Sequence, residues 1–311
     1  MARKKSNFVL VIVFAVLLMV VFADVTLFSG KSERTIDKSV FKVDTSLVDK
    51  VTMRTKADNF KEVTLYKNDS GWHVKNDKFD LPAEEAPVVQ IFEQLANMKV
   101  LRLAATNREK WNDYMVEDSG STQLELWSRD KTLMKLVIGK FSFQENQKAL
   151  TYIRLADQEE TYAVDGFLAV LFSQGVNGYR RGRFTPETSD DWTAVNVEMP
   201  GDSGFVLNRT GDTWSADSEL DSTTIHAYIN RITNLKTMSF AAGFKPGRKA
   251  DYRIEIMRTD KPNVIVSAFQ VATDDYVLQS SLNPENYLAD DGGQFDKLFA
   301  ARSMAKPRLK K

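Results

Sequence analysis

A pattern that occurs twice constrains this chain more than any single residue does. Leu65-Tyr66-Lys67-Asn68-Asp69-Ser70-Gly71-Trp72 and Leu207-Asn208-Arg209-Thr210-Gly211-Asp212-Thr213-Trp214 both read as a strand, a polar turn and a strand starting at tryptophan. Asp69-Ser70-Gly71 and Thr210-Gly211-Asp212 supply the residue types that tight hairpin turns need. Apolar residues at helical spacing follow each hairpin: Val88, Phe92, Leu95 and Met98 first, then Ile225, Ile229, Ile232 and Leu235. Asp80, close before Pro82, and Asp221-Ser222 are the expected N-terminal caps. Alternating strands return over 122–127 and 252–257, then over 133–138 and 264–268. Tyr162-Ala163-Val164-Asp165 stands opposite Tyr287-Leu288-Ala289-Asp290, and a short apolar helix closes each set, Phe167 to Phe172 and Phe295 to Phe299. The spacing between counterparts shrinks along the chain, as expected of a second copy that kept its core and shortened its loops.

Alternating strands with one wet face imply antiparallel sheets, so the expected class is α+β, with one helix packed on each sheet. The expected organisation is a cytoplasmic N-terminus and transmembrane helix over 1–29 and a tether over 30–44. A first α+β repeat over 45–175, a linker over 176–186, a second repeat over 187–302 and a basic tail over 303–311 follow.

The membrane expectation rests on the N-terminus. Arg3, Lys4 and Lys5 precede a nearly unbroken apolar run from Phe8 to Ala23, which Val25 to Phe28 extend beyond Asp24. With that extension it reaches about 21 residues, within the ~17–25 of a spanning helix. The leading basic residues keep the N-terminus in the cytoplasm. The expected location is therefore the bacterial inner membrane, single-pass, with the soluble part in the periplasm. Val21-Phe22-Ala23 before Asp24 also admits a cleaved signal peptide, although the run exceeds the usual apolar core of one. Cysteine is absent, which removes disulfides, thiolate zinc sites, cysteine nucleophiles and a lipid-modified cysteine together. The 42 basic and 42 acidic side chains balance, so no global charge draws the chain to nucleic acid.

Residues capable of chemistry form no catalytic, cofactor or metal set in the sequence. His73 and His226 are the only histidines and occupy non-equivalent repeat positions. No G-x-S-x-G elbow exists, and Ser70 and Ser203 belong to glycine-containing turns. Glu84-Glu85, Glu159-Glu160, Asp190-Asp191, Asp274-Asp275 and Asp290-Asp291 fall at helix starts and turns. A glycosidase pair among them stays open, since its members need only meet in space. Asp290-Asp291-Gly292-Gly293 lacks the spaced acidic pattern of a calcium loop. Gly175, Gly178 and Gly182 form no phosphate-cradling motif. The candidate interaction residues are therefore Arg180, Arg181 and Arg183, a basic cluster between the repeats, and the paired Trp72 and Trp214. The arginines suit anionic headgroups or an acidic partner, or simply a solvated linker. The tryptophans suit a glycan or peptide platform, or a core position that both copies need.

The course Leu65-Tyr66-Lys67, Gly71-Trp72, Leu81-Pro82-Ala83 and the helix beyond resembles the family catalogued as domain of unknown function 4340. Leu136-Val137-Ile138-Gly139-Lys140, Ala149 to Arg154 and Tyr162-Ala163-Val164 fit its L-x-I-G, Y-V-R and V-Y-x-V course. The chain departs from it where Trp111-Asn112-Asp113-Tyr114-Met115-Val116 replaces a Y-G-L-like step. The resemblance implies a membrane-anchored envelope protein, often encoded beside ABC-type exporter and gliding-motility-like components, and it supplies no catalytic residues. The resulting expectation is a non-enzymatic periplasmic accessory or scaffold protein with protein partners in such a complex. A glycan- or lipid-binding envelope module and a carboxylate-based hydrolase are the alternatives.

Overall fold

A computed structural model of the chain describes residues 41–143, 148–201, 204–216 and 220–299. The expected membrane helix, most of the tether and the basic tail lie outside the described residues, as does Ser203. No helix among the described residues is long and apolar enough to cross a membrane.

Two antiparallel sheets carry the fold. The first is built from β1 (Lys50–Arg54), β2 (Glu62–Asn68), β3 (Gly71–Lys75), β4 (Asp80–Pro82), β5 (Val100–Ala105), β6 (Thr122–Ser128), β7 (Lys131–Phe143), β8 (Ala149–Leu155) and β9 (Thr161–Asp165). The second comprises β10 (Trp192–Glu198), β11 (Phe205–Thr210), β12 (Thr213–Ala216), β13 (Tyr252–Arg258), β14 (Val264–Ala272), β15 (Asp275–Ser280) and β16 (Leu288–Ala289). The order β3-β2-β1-β6-β7-β8-β9 recurs as β12-β11-β10-β13-β14-β15-β16, and the first sheet adds β4 at one edge and β5 at the other.

The register repeats as well as the order. Met53, Leu124 and Leu136 stand side by side across β1, β6 and β7, as Val197, Ile254 and Val266 do across β10, β13 and β14. All six are at most 1 % exposed. The reason is the two-residue period of a strand, which sends alternate side chains to one face and makes that face the core. In the last strand the register corrects the expected match by one residue. Ile153 pairs with Tyr162, whereas Leu278 pairs with Leu288, so Leu288 and not Tyr287 is the counterpart of Tyr162. Tyr287 instead contacts Phe244 and Phe269, away from the core cluster that Leu288 joins.

Five α-helices accompany the sheets among the described residues, besides short 3-10 helices: α1 (Glu85–Asn97), α2 (Trp111–Tyr114), α3 (Leu168–Leu171), α4 (Ser222–Ile232) and α5 (Gln294–Phe299). α1 buries Val88, Ile91 and Leu95 on the first sheet, and α4 buries Ile225, Tyr228, Ile229 and Ile232 on the second. These positions form one stripe because they recur every three or four residues. Asp221 caps α4, accepting from the Thr224 amide at 2.9 Å. Asp80 does not cap α1: it begins the edge strand β4, and Glu84 stands at the helix start without a side-chain cap. The first core also reaches back into the expected tether, since Phe41 is buried edge-on against Tyr162 at 5.2 Å.

On its other face the first sheet carries a smaller cluster of Trp111, Val116, Val137, Leu150, Tyr152 and Ala163. Gly139 makes this possible. A Cβ there would lie 2.2 Å from the Tyr114 carbonyl oxygen and 2.6 Å from Val116 Cγ1. The glycine of the Leu-Val-Ile-Gly run therefore admits the turn after α2 onto β7. Gly139→Ala is expected to destabilise the chain by about 3 kcal/mol, the upper end for overpacking, read as a lowered urea midpoint at unchanged slope.

Candidate functional site at the junction of the two sheets

The segment joining the sheets is not a solvated linker. Tyr179 ends a 3-10 helix (Gly175–Tyr179) and is buried in the first core, while Phe184, five residues on, is buried in the second. Burial pushes the Tyr179 phenol well above its usual range. Between these two anchors the backbone bonds to both sides. The Glu84 amide donates to the Tyr179 carbonyl (2.8 Å), and the Thr237 amide donates to the Gly182 carbonyl (2.9 Å). Isolated bridges join Ala83 to Arg180, Arg183 to Lys236 and Phe240 to Leu288. Residues 180–184 thus close the β4 edge of the first sheet on one side. On the other they meet the 235–240 segment, which itself pairs with β16. Gly182 is required here, because a Cβ would stand 2.0 Å from the Thr237 carbonyl oxygen.

The three arginines occupy this seam. The Arg180 guanidinium lies 4.6 Å from the ring of Phe79, which belongs to the first sheet's side, and 3.7 Å from Phe240, which belongs to the second. Its Nε and Nη2 donate to Oδ1 of Asn286 at 3.2 and 2.6 Å. Asn286 is 1 % exposed and returns a bond from Nδ2 to the Arg181 carbonyl at 3.1 Å. Burial pushes the Arg180 guanidinium down to about 10, still cationic at neutral pH. Arg181 Nε donates to the Ala83 carbonyl (3.1 Å). Arg183 contacts Asn234 and pairs with Glu187 at 2.8 Å and Glu84 at 3.7 Å. The arginines expected to meet lipid or a partner are therefore engaged within the chain, tying one sheet to the other.

Beside them opens a groove of about 550 Å³. Pro87, Leu171 and the exposed side chains of Val170 and Met238 give it an apolar lip, and Glu84, Gln90 and Lys236 give it polar points. Trp72 and Trp214 do not line it. They are 8 % and 5 % exposed, in equivalent register opposite Lys67 and Arg209, so they are core residues and not an aromatic platform. His226 is exposed on α4. Among the described residues no three His, Cys, Asp or Glu side chains converge as a metal would require. Asp290 accepts from the Phe295 amide at 2.9 Å and so serves the start of α5.

One constellation was not expected from the sequence. Ser70 Oγ lies 3.1 Å from His73 Nε2, and His73 Nδ1 lies 3.5 Å from Asp80 Oδ1. The order is that of a serine–histidine–aspartate relay, but His73 Nδ1 has no hydrogen-bond partner among the described residues, so the aspartate arm is not made. Ser70 also donates to Asn68 Oδ1 at 2.7 Å on an exposed turn, and Asp80 accepts from the Tyr66 hydroxyl at 2.8 Å. β4, which had been read as a cap and not as a strand, is what brings Asp80 beside His73.

The fold and seam define a two-sheet protein whose halves are hydrogen-bonded into one body. A family model described as a domain of unknown function (DUF4340) matches residues 72–255, more than half of the chain, and the chain belongs to that family. The matched stretch runs from β3 into β13 and contains residues 180–184 and 235–240 of the seam, while Asn286 and Leu288 lie beyond it. No curated protein and no solved structure matches the chain.

Arg180→Ala leaves Asn286 Oδ1 without its donors and removes the cation that lies between Phe79 and Phe240, at a cost of about 3 kcal/mol from an unpaired buried polar group and a lost cation–π contact. The expected calorimetric trace changes from one cooperative transition to two, and Arg180→Lys restores it only partly, because a point charge does not reproduce the planar fork.

Proposed function

We propose that this chain is a non-enzymatic accessory subunit of the bacterial envelope. In this reading it is an internally duplicated two-sheet platform on a single inner-membrane helix. It holds protein components of an ABC-type transport or gliding-motility-like complex in the periplasm. The observation that carries it is the seam: Arg180, Asn286 and the bonded edges fix the two sheets relative to each other. Fixed spacing between two surfaces is what a scaffold uses to hold partners, and the apolar lip of Val170 and Met238 beside the seam offers one a contact. The recurrence of strand order and register supports the duplication, and the N-terminal basic and apolar run supports the anchor. Crosslinking in native membranes with a tagged full-length chain, and with a copy truncated before Gly30, tests this. Recovery of transporter subunits by the full-length chain is expected; recovery of the chain alone ends the reading.

A second reading has one observation in its favour, the Ser70–His73–Asp80 arrangement. A hydrolase of this kind reacts covalently with a fluorophosphonate probe and loses the label in Ser70→Ala and His73→Ala. The platform reading expects no label in any of the three proteins.

A further inference from the structure

The β7–β8 tip of the first sheet exposes rings that the matching tip of the second sheet does without. Ile138 and Ile153 pair in the first sheet where Ala268 and Leu278 pair in the second. Beyond them a register shift in β7 sets Phe141 opposite Thr151, whose hydroxyl accepts from the Ala169 amide of α3 at 3.4 Å. On that side Phe141 stacks on Phe167 at 5.4 Å and meets Phe143 edge-on at 4.9 Å. Phe143 is 62 % exposed and Phe167 49 %. At the matching place the second sheet has Gln270 opposite Tyr276, then Val271, Ala272 and Thr273, with no exposed ring. Counted on from the matched pair Tyr162 and Leu288, Phe167 falls opposite Gly293. The second sheet closes its hairpin without these rings, so packing alone does not call for them.

Two lysines flank the rings. Lys148 precedes Ala149, the partner of Phe143, and the Lys99 backbone bonds to Asp165, two residues before Phe167. Both lysines are exposed, and neither pairs with a carboxylate among the described residues. Asp165 accepts from the Lys99 amide at 2.6 Å, and Glu145, the only acid between Phe143 and Lys148, lies outside the described residues. Exposed rings beside unpaired lysines are the two parts of an interfacial membrane contact: apolar groups enter the headgroup boundary and cations meet phosphate. The course of the chain adds reach. Phe41 packs on Tyr162, five residues before Phe167, and twelve residues separate Phe41 from Phe28 at the end of the apolar N-terminal run. A stretch of that length spans at most about 40 Å, so a chain anchored by the run keeps this tip close to the bilayer.

We propose that this tip rests on the bilayer surface, with Phe143 and Phe167 in the headgroup boundary and Lys99 and Lys148 on the phosphates of anionic lipid. The contact gives the two-sheet body a second fixed point besides its tether and so sets its orientation. The reach, though not the patch, rests on the anchor of the proposed function.

Because the sequence has no cysteine, a single introduced one reports its own position. Ser142→Cys at this tip and Thr273→Cys at the matching tip each carry an environment-sensitive fluorophore. The full-length protein is reconstituted into phosphatidylcholine–phosphatidylglycerol vesicles bearing acyl-chain nitroxides. Blue-shifted emission and quenching are expected at Ser142→Cys and neither at Thr273→Cys. Phe143→Ser combined with Phe167→Ser removes the quenching, and Lys148→Glu weakens it. Absence of quenching at Ser142→Cys, or equal quenching at both tips, overturns the proposal. A blue shift without quenching also overturns it, since that reports a protein occupant. If the double variant fails to fold, the comparison of the two tips still decides. Alkaline extraction reads the anchor separately. A chain that resists extraction without quenching keeps the anchor and loses the tip contact; one that is quenched yet extracted keeps the tip contact and loses the anchor.

Discussion

A guanidinium is costly to bury unless its donors and its charge are both answered, and Arg180 is answered from both halves of the molecule. Phe79 and Phe240 lie against it from opposite sheets, and Asn286 accepts two of its hydrogen bonds. Moving either sheet away removes partners from a charge that has already left water. The aromatic anchors Tyr179 and Phe184 extend the same constraint into the two cores, where each is at most 2 % exposed. The relative placement of the sheets, and hence of every groove on them, follows from this seam.

The seam also answers a problem of sheet edges. An open edge exposes unpaired backbone groups and invites unwanted pairing. Here the inner edges are closed by the chain itself, at Ala83–Arg180, Arg183–Lys236 and Phe240–Leu288. The outer strand β5 carries two register shifts against β9, which bend it away from regular pairing. Tyr114 further occupies the Ala104 carbonyl at 3.1 Å.

Two sheets with one strand order have acquired different surfaces through small changes at matched positions. Gly139 opens space for a covering turn, whereas Phe269 fills it. Arg154 is sealed beneath Asp118 and Trp111, the latter's ring 3.7 Å from the guanidinium, while Gln279 at the same register remains half-buried. The first outer face is thereby structural and the second is accessible, although the cores beneath them are equivalent in register.

Much of the local structure was legible from the residues alone. The hairpins, the helical stripes of α1 and α4, the Asp221 cap and the pairing of Trp72 with Trp214 follow from period, turn chemistry and repetition, all of which act over a few residues. Tertiary structure decided what those rules do not reach. Asp80 became a strand residue because β3 offered it an edge, and that placed it beside His73. Tyr287 slipped one position because a strand's faces alternate, and only the register says which face is inside. The arginines, read as a cluster open to lipid, a partner or solvent, became the fastening of the molecule, since their partners Asn286, Phe79 and Phe240 lie far along the chain and meet them only when both sheets are folded.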